Sequence, residues 1–368
     1  MSTHPSGRSP ADRLPRFPWD TLKACKEKAA RHPDHAVDLS IGTPVDPTPP
    51  IIRQALAEAA DAPGYPLTAG SLPLRRALVD WAQARCGASG LDIDGVLPVS
   101  GTKEIIAWLP TLLGMGEGDA GAYPSLAYPT YEVGLRLAGA QPIAADSLVS
   151  LGPARVRLFW LNSPSNPTGR VLPAGHLRKV VDWGRERGAV VASDECYLEL
   201  GHDAEPVSML SVCDGDYTGV LAVHSLSKRS NLAGYRAGFV AGDPALISQL
   251  LELRRQAGMI MPAPVQAAMV AALSDSEHVA AQRKRYADRR VLLRAALEGA
   301  GFRIDHSEAG LYLWATRDED CWQTADWFAE RGIVVAPGDF YGAAGAQHVR
   351  IALTATDERV AAAVARLA

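Results

Sequence analysis

The sequence lacks the cysteine and histidine patterns of a protein held together by disulfides or by structural zinc. Its nine histidines include no H-E-x-x-H pair. Its cysteines are odd in number, widely spaced and without a C-x-x-C pair: Cys25, Cys86, Cys196, Cys213 and Cys321. We therefore expect reduced thiols, as in the cytoplasm, and no metal site.

The sequence also lacks a long apolar run and a strong charge of either sign. Its longest apolar stretch, residues 105–115, is interrupted by Pro110 and is too short to span a bilayer. Residues 1–20 contain no apolar core of the length that a signal peptide needs. The net charge of −4 gives no overall attraction to nucleic acid or to an anionic membrane. These absences predict a soluble, cytoplasmic protein without nucleic-acid or membrane partners.

What the chain does contain is the pattern of an α/β protein. Helical stretches alternate with short apolar runs, which suit strands buried on both faces of a sheet. This alternation predicts a mostly parallel central sheet flanked by helices. The predicted strands of the sheet are residues 96–99, 120–123, 156–161, 189–193, 220–224 and 237–241.

The length and a change of pattern near residue 263 predict two domains. A chain of 368 residues exceeds the typical domain of about 150 residues. Residues 42–262 are predicted to form the large domain, and residues 263–368 a smaller α+β domain that begins with a long helical region, 263–300. Residues 1–41 are predicted to form an N-terminal arm and a helix that join the small domain.

Two predicted strands end in segments rich in small residues and turn formers. Gly101, Thr102 and Lys103 follow the first strand and open a helix, whose N-terminus can stabilise an anion. An ordinary capped helix start is the alternative, and no nucleotide-binding glycine motif is present. The segment N-S-P-S-N-P-T-G follows the strand V-R-L-F-W-L and favours a rigid turn that positions the Asn166 side chain, although a plain turn is possible.

Two further strand ends carry charged residues. Asp194 follows the apolar strand A-V-V-A, where a buried carboxylate requires a cation or hydrogen-bond donors; a structural salt bridge would also satisfy it. Lys228 lies in S-L-S-K, eight residues before Arg236. A solvated loop lysine is the simplest interpretation of a lone lysine. With Ser225 and Arg236 nearby, Lys228 becomes a candidate for forming a Schiff base beside a phosphate site.

Together these segments resemble the fold-type I family of class I and II aminotransferases, which use pyridoxal 5′-phosphate (PLP). The resemblance rests on S-L-S-K-x7-R-x-G, N-P-T-G and D-E-C-Y, and it runs from I-G-T-P-V-D-P-T-P-P to H-V-R-I-A-L-T-A-T. More narrowly, L-A-Y-P-T-Y-E-V-G and A-P-G-D-F-Y-G are similar to segments of actinobacterial succinyldiaminopimelate transaminases. The resemblance implies the fold-type I PLP-transferase fold, with PLP as cofactor.

The resemblance implies roles around the cofactor ring. Lys228 matches the lysine that holds PLP as a Schiff base and moves the substrate proton. Asp194 matches the carboxylate that pairs with the pyridine nitrogen, Tyr197 and Asn166 match the donors to the ring oxygen, and Tyr128 matches the aromatic residue stacked on the ring. The implied phosphate-binding residues are Gly101, Thr102, Ser225 and Arg236, with Lys103 as a further cation.

The resemblance also implies a substrate clamp and a second subunit. Arg350 matches the arginine that binds the substrate α-carboxylate, and Gly42 matches the small residue beside it. Tyr65 matches a tyrosine that reaches the phosphate site of the neighbouring subunit, which implies a homodimer. Phe17 and Trp19 would then anchor the arm on the partner. No motif provides the second arginine that aspartate-type relatives aim at a distal carboxylate.

The implied activity is transfer of an amino group between N-succinyl-LL-2,6-diaminopimelate and 2-oxoglutarate or glutamate, in lysine and diaminopimelate biosynthesis. One alternative keeps the chemistry but changes the amino acid, for instance to unsuccinylated diaminopimelate. A second alternative is a PLP-dependent C–S β-lyase, because the same residues serve β-elimination. A non-enzymatic PLP-binding regulator is disfavoured, since the roughly 20 residues before the predicted fold leave no room for a DNA-binding module.

Overall fold

A computed structural model of the chain describes residues 10–368. The α-helices are α1 Lys23–Ala29, α2 Pro50–Glu58, α3 Leu72–Cys86, α4 Thr102–Leu112, α5 Thr130–Ala138, α6 Ala174–Arg187, α7 Leu226–Arg229, α8 Pro244–Gln256, α9 Ala263–Ser274, α10 Glu277–Gly299, α11 Cys321–Glu330 and α12 Asp357–Leu367. The strands are β1 Val37–Asp38, β2 Val96–Val99, β3 Ala120–Tyr123, β4 Gln141–Ala144, β5 Val156–Asn162, β6 Val190–Asp194, β7 Val220–Ser225, β8 Gly238–Gly242, β9 Arg303–Asp305, β10 Tyr312–Thr316, β11 Ile333–Val334, β12 Ala336–Pro337 and β13 His348–Ala352. None of these helices is long and apolar enough to cross a membrane.

The central sheet has seven strands in the order β2-β8-β7-β6-β5-β3-β4. Strand β8 runs antiparallel to both of its neighbours, and the other pairings are parallel. The mostly parallel sheet predicted from the sequence is therefore confirmed. Strand β4 was not predicted, because it is a half-exposed edge strand that contains Pro142 and lacks a continuous apolar run.

Apolar side chains cover both faces of the sheet. Successive residues of β5 point to opposite faces of the sheet. Leu158 and Trp160 belong to one hydrophobic cluster, and Phe159 and Leu161 belong to another. Helices α4 and α5 pack in the first cluster, and α3 and α6 in the second. A strand buried on both faces requires a nearly continuous apolar sequence, which explains why the sequence pattern located these strands.

A second, antiparallel sheet has the strand order β12-β13-β10-β9. The N-terminal segment contributes β1, which pairs in parallel with β11, and a third hydrophobic cluster combines Leu22 and Leu39 with Leu313 and Phe328. The N-terminal segment thus packs with the C-terminal region, and its assignment to the small domain stays a prediction. The domain boundaries themselves stay predictions.

The helical region predicted over residues 263–300 is confirmed, but it contains a break that the sequence did not predict. The structure divides it into α9 and α10, separated by Asp275 in an extended conformation with φ −114° and ψ 124°. A side-chain oxygen of Asp275 accepts a hydrogen bond of 2.8 Å from the backbone N–H of Glu277. This side-chain bond competes with helical backbone bonding and lets a new helix begin.

Candidate active site

A cavity of about 700 Å³ opens beside the carboxyl ends of β6 and β7. This volume suits a small cofactor together with a substrate, and the carboxyl ends of parallel strands are the usual position of such sites. The predicted site residues that line the cavity are Gly42, Thr102, Lys103, Tyr128, Asn166, Asp194, Tyr197, Ser225, Lys228, Arg236 and Arg350. The fold therefore brings most of the predicted set together.

Lys228 is half-buried and presents its amine to this cavity. Its Nζ donates a hydrogen bond to the backbone carbonyl oxygen of Gly42, and no acidic side chain within residues 10–368 forms an ion pair with it. Burial lowers the pKa of Lys228, with nearby Arg350 and Arg236 acting in the same direction. A lowered pKa favours the neutral amine, which is the nucleophilic form.

Asp194 is the last residue of β6 and is 5% exposed. Its carboxylate accepts hydrogen bonds from the Tyr131 hydroxyl at 2.8 Å and from the Cys196 backbone N–H at 3.2 Å. Burial raises its pKa, and the hydrogen bonds oppose this shift. Because no basic side chain of the described chain pairs with Asp194, its negative charge is available to a cationic ring nitrogen.

An anion-binding corner forms where α4 begins. Gly101 has φ +83°, and any Cβ there would collide with the guanidinium of Arg236. Thr102 opens α4, so its backbone N–H lies at the positive end of the helix. Ser225 caps α7 by accepting a 3.1 Å hydrogen bond from the backbone N–H of Ser227. Helix N-termini, hydroxyls and guanidinium groups are the groups that bind phosphate in proteins, so this corner could hold an anion.

Arg350 lies on β13, and 2% of it is exposed. Its Nη1 donates to Oδ1 of Asn166 at 2.8 Å, and its Nη2 donates to the backbone oxygen of Ser40 at 2.7 Å. The guanidinium carbon lies 3.9 Å from the ring centroid of Tyr312. The buried Nε has no partner in the described residues, so the group retains donor capacity for a carboxylate.

Asn162 connects the Asn166 turn to the end of β6, and sequence reasoning missed it. Its Oδ1 accepts from the backbone N–H of Asn166 at 2.7 Å, and its Nδ2 donates to the backbone oxygen of Asp194 at 2.9 Å. Its position directly after a predicted strand was a usable signal.

Tyr197 and Tyr312 form a hydroxyl pair with an oxygen–oxygen distance of 3.1 Å. A Cβ at Gly42 would collide with the Tyr312 ring, so this glycine permits the close approach. Tyr312 was also missed, because inside an apolar strand it is indistinguishable from a core aromatic residue.

Tyr128 and Lys103 lie where the N-terminal segment borders the cavity. The Lys103 amine is 5.5 Å from the ring centroid of Tyr128 and 5.9 Å from that of Phe17, and no acidic side chain in residues 10–368 pairs with it. Trp19 packs on Phe340 of its own chain, with ring centroids 5.4 Å apart. Its own chain therefore covers part of the Trp19 ring, and the role of Phe17 and Trp19 in anchoring the arm on a partner stays a prediction.

The structure leaves Tyr65 outside this cavity. Its side chain is fully exposed, and the neighbouring Leu67 is 68% exposed. The role of Tyr65 in a second subunit's site stays a prediction.

A buried polar cluster adjoins the cavity. Cys86, Glu195 and His224 bring a sulfur, a carboxylate oxygen and a ring nitrogen within 4.8 Å of one another. Burial raises the pKa of Glu195 to about 7 and lowers the pKa of His224 to about 3. Although Nε2 of His224 lies 3.8 Å from Oε2 of Glu195, these pKa shifts favour the neutral form of both groups and argue against an ion pair.

This fold and this site define a PLP-dependent transferase. The chain belongs to the class I and II aminotransferase family, whose sequence model matches residues 34–367. A probable aminotransferase of Mycobacterium tuberculosis (strain ATCC 25618 / H37Rv) is 64% identical over 96% of this chain and 85% of the relative. The 4-dedimethylamino-4-oxo-anhydrotetracycline transaminase OxyQ of Streptomyces rimosus is 60% identical over 96% of this chain and 99% of the relative.

The fold is also similar to that of solved aminotransferases. The structure of a probable N-succinyldiaminopimelate aminotransferase from Thermus thermophilus superposes with a TM-score of 0.86, covering 95% of this chain and 99% of the other at 29% identity. The expected fold and family are confirmed.

Members of this family are PLP-dependent, and the residues present fit that cofactor. Among the residues that the structure describes, Asp194 is a buried carboxylate without a cationic partner, and Lys228 is a half-buried lysine without an acidic partner. Arg236 and the start of α4 would hold the phosphate, and Tyr128 lines the cavity where a ring could stack.

Proposed function

We propose that this aminotransferase moves the amino group of N-succinyl-LL-2,6-diaminopimelate to 2-oxoglutarate, forming glutamate, as a step of lysine and diaminopimelate biosynthesis. The observation that carries the proposal is the buried guanidinium of Arg350, held by Asn166 and Ser40 with its Nε unpartnered among the described residues. Donor, acceptor and glutamate each have a carboxylate next to the reacting carbon. One fixed arginine can therefore orient each of them.

The cavity also suits the second carboxylate of these substrates. Lys103 provides a cation on the cavity wall without an acidic partner in residues 10–368, and the volume of about 700 Å³ accommodates a long side chain. We propose that Lys103, instead of serving as the further cation at the phosphate, contacts the carboxylate end of the succinyl group and of 2-oxoglutarate.

In the proposed mechanism, each residue acts on a defined atom. Arg350 binds the α-carboxylate and so aligns the Cα–H bond of the substrate. Lys228 removes the proton from Cα of the donor, and in the second half-reaction it delivers a proton to Cα of the glutamate that forms. Its lowered pKa favours the neutral amine that accepts the first proton. Asp194 keeps a proton on the ring nitrogen of the cofactor. When bound, PLP supplies a conjugated ring that accepts the electron pair left at Cα.

We also propose that the protein acts as a homodimer. The segment around Tyr65 exposes large apolar side chains, including Leu67 and Leu72, and such a surface is typical of a subunit contact. We propose that in this dimer Tyr65 reaches the phosphate site of the partner, as the resemblance implies.

A second candidate substrate is a polycyclic 4-oxo compound of the kind named for OxyQ. The observation that favours it is the 60% identity to that enzyme over nearly the whole chain. The aromatic side chains of Phe17, Trp19 and Tyr128 on the cavity wall are compatible with a flat ring system.

The test is a visible absorption spectrum of the PLP-loaded protein before and after addition of one amine without any oxo acid. We expect N-succinyl-LL-diaminopimelate to convert the cofactor to its pyridoxamine form. Unsuccinylated diaminopimelate, glutamate and a thioether amino acid serve as comparisons, with pyruvate release reporting β-elimination. No conversion by the succinylated amine, alongside conversion by another amine, would overturn the proposed donor.

A further inference from the structure

Tyr131 connects two parts of the active site without lining the cavity itself. It lies in the first turn of α5 and is fully buried. Its ring stacks on Trp160 with a centroid distance of 5.2 Å and an interplanar angle of 23°. This packing leaves the ring little freedom, so the hydroxyl oxygen has a defined position.

That hydroxyl donates a hydrogen bond of 2.8 Å to Oδ2 of Asp194. The other carboxylate oxygen, Oδ1, accepts the Cys196 backbone N–H at 3.2 Å. The two oxygens are thus held separately, one by the backbone of the same turn and one by a side chain 63 residues away. A hydrogen bond from a neutral donor stabilises the ionised carboxylate against the cost of burial.

Tyr131 also contacts the aromatic residue on the cavity wall. Its ring meets the ring of Tyr128 edge to face, with centroids 6.0 Å apart and an interplanar angle of 85°. One rigid side chain therefore supports both the carboxylate expected at the ring nitrogen and the aromatic residue expected on the ring face.

We infer that Tyr131 is a positioning residue whose hydroxyl keeps Asp194 ionised and oriented towards the ring nitrogen of the cofactor. This inference rests on the proposed role of Asp194 and deepens it, because it assigns a function to a residue that touches neither cofactor nor substrate. An ordinary buried tyrosine would contribute to folding alone. The two roles differ in one respect, since only the positioning role depends on a nitrogen atom in the ligand ring.

The experiment measures the affinity of the full-length apoprotein for two ligands by fluorescence titration. The first ligand is PLP, and the second is the analogue in which carbon replaces the ring nitrogen. In Tyr131→Phe we expect the Kd for PLP to rise about tenfold, the effect of losing one hydrogen bond to a charged acceptor. The Kd for the analogue should stay unchanged, because packing around the ring is preserved.

Tyr217→Phe is the matched control. Tyr217 is also buried, and its hydroxyl donates to the backbone oxygen of Ser89 at 2.8 Å, outside the cavity. We expect this variant to bind both ligands like the parent. A second measurement introduces Tyr131→Phe into an Asp194→Asn variant. In that background the ratio of the Kd for PLP to the Kd for the analogue should be the same with Tyr or Phe at position 131.

The outcomes separate this inference from the proposed function. The parent could bind PLP more tightly than the analogue while Tyr131→Phe keeps the same ratio of the two Kd values. Tyr131 would then have no positioning role, and the role of Asp194 would stand. If the variant loses affinity equally for both ligands, its effect is structural and the inference is overturned. If the parent does not distinguish the two ligands, the role of Asp194 fails and the inference fails with it.

Discussion

The Nζ atom of Lys228 donates a hydrogen bond to the backbone oxygen of Gly42, across 186 residues of chain. Gly42 directly follows the N-terminal segment that packs with the C-terminal region, whereas Lys228 follows β7 of the central sheet. The amine is therefore held where these two parts of the protein meet. Its orientation depends on both of them.

Replacing Lys228 with Ala should abolish amino transfer, lowering the rate at least about a thousandfold, because the variant loses both the covalent attachment and the proton carrier. We expect PLP to bind this variant noncovalently. The measurements are the transfer rate and the protein mass after borohydride reduction, which should show no added cofactor. The control is Lys284→Ala, which removes an exposed lysine of α10. Normal turnover in Lys228→Ala would refute the assignment.

Replacing Arg350 with Ala should raise KM for amino-acid donors by about a hundredfold, since two charge-assisted hydrogen bonds are lost. A primary amine without an α-carboxylate provides the internal control, and its slow conversion should be similar in parent and variant. Steady-state kinetics with both amines decides the matter. An equal loss for the two amines would show that Arg350 supports the structure rather than the carboxylate.

Replacing Gly101 with Ala should weaken PLP binding about tenfold or more, because the new Cβ displaces the guanidinium of Arg236. The variant should bind pyridoxal, which lacks the phosphate, with nearly the same affinity as the parent. Gly114→Ala is a matched control, since Gly114 has φ +65° and an added Cβ meets nothing within 4 Å. Titration of the apoproteins with PLP and with pyridoxal tests this prediction. Equal losses in the two variants would mean that backbone strain alone is responsible.

Glu195 should make stability fall as the pH rises. Burial raises its pKa from 4.5 to about 7, so the folded protein keeps a proton that the unfolded chain releases. The stabilisation that this retained proton provides is complete below the pKa of Glu195 in the unfolded chain. It is lost as the pH rises through the pKa of Glu195 in the folded protein. Glu195→Gln mimics the protonated acid. Its free energy of unfolding should therefore rise by about 3 kcal/mol relative to the parent as the pH increases through these two pKa values.

Urea unfolding of both proteins between about pH 4.5 and pH 8 measures this difference. Glu252→Gln, at an exposed glutamate on α8, serves as the control and should show no such trend. A constant difference between Glu195→Gln and the parent across the range would contradict the prediction.

The residues predicted to contact the cofactor could be found because each belongs to a short contiguous segment. Asp194 directly follows one predicted apolar strand, and Lys228 lies in the short segment after another. Parallel strands bring their carboxyl ends to one edge of the sheet. The edge strand β4 and the break at Asp275 escaped prediction, because one lacks an apolar run and the other depends on a single side-chain hydrogen bond.

The linear order of residues thus determined the sheet, the cofactor class and the strand-end residues, since these depend on local apolar periodicity and on motifs a few residues long. Tertiary structure alone decided that Tyr131 reaches Asp194, that Tyr312 lies against Gly42, and that Glu195 is buried beside His224. These relationships join distant segments. They arise from how the helices and sheets pack, which brings together side chains that no local pattern relates.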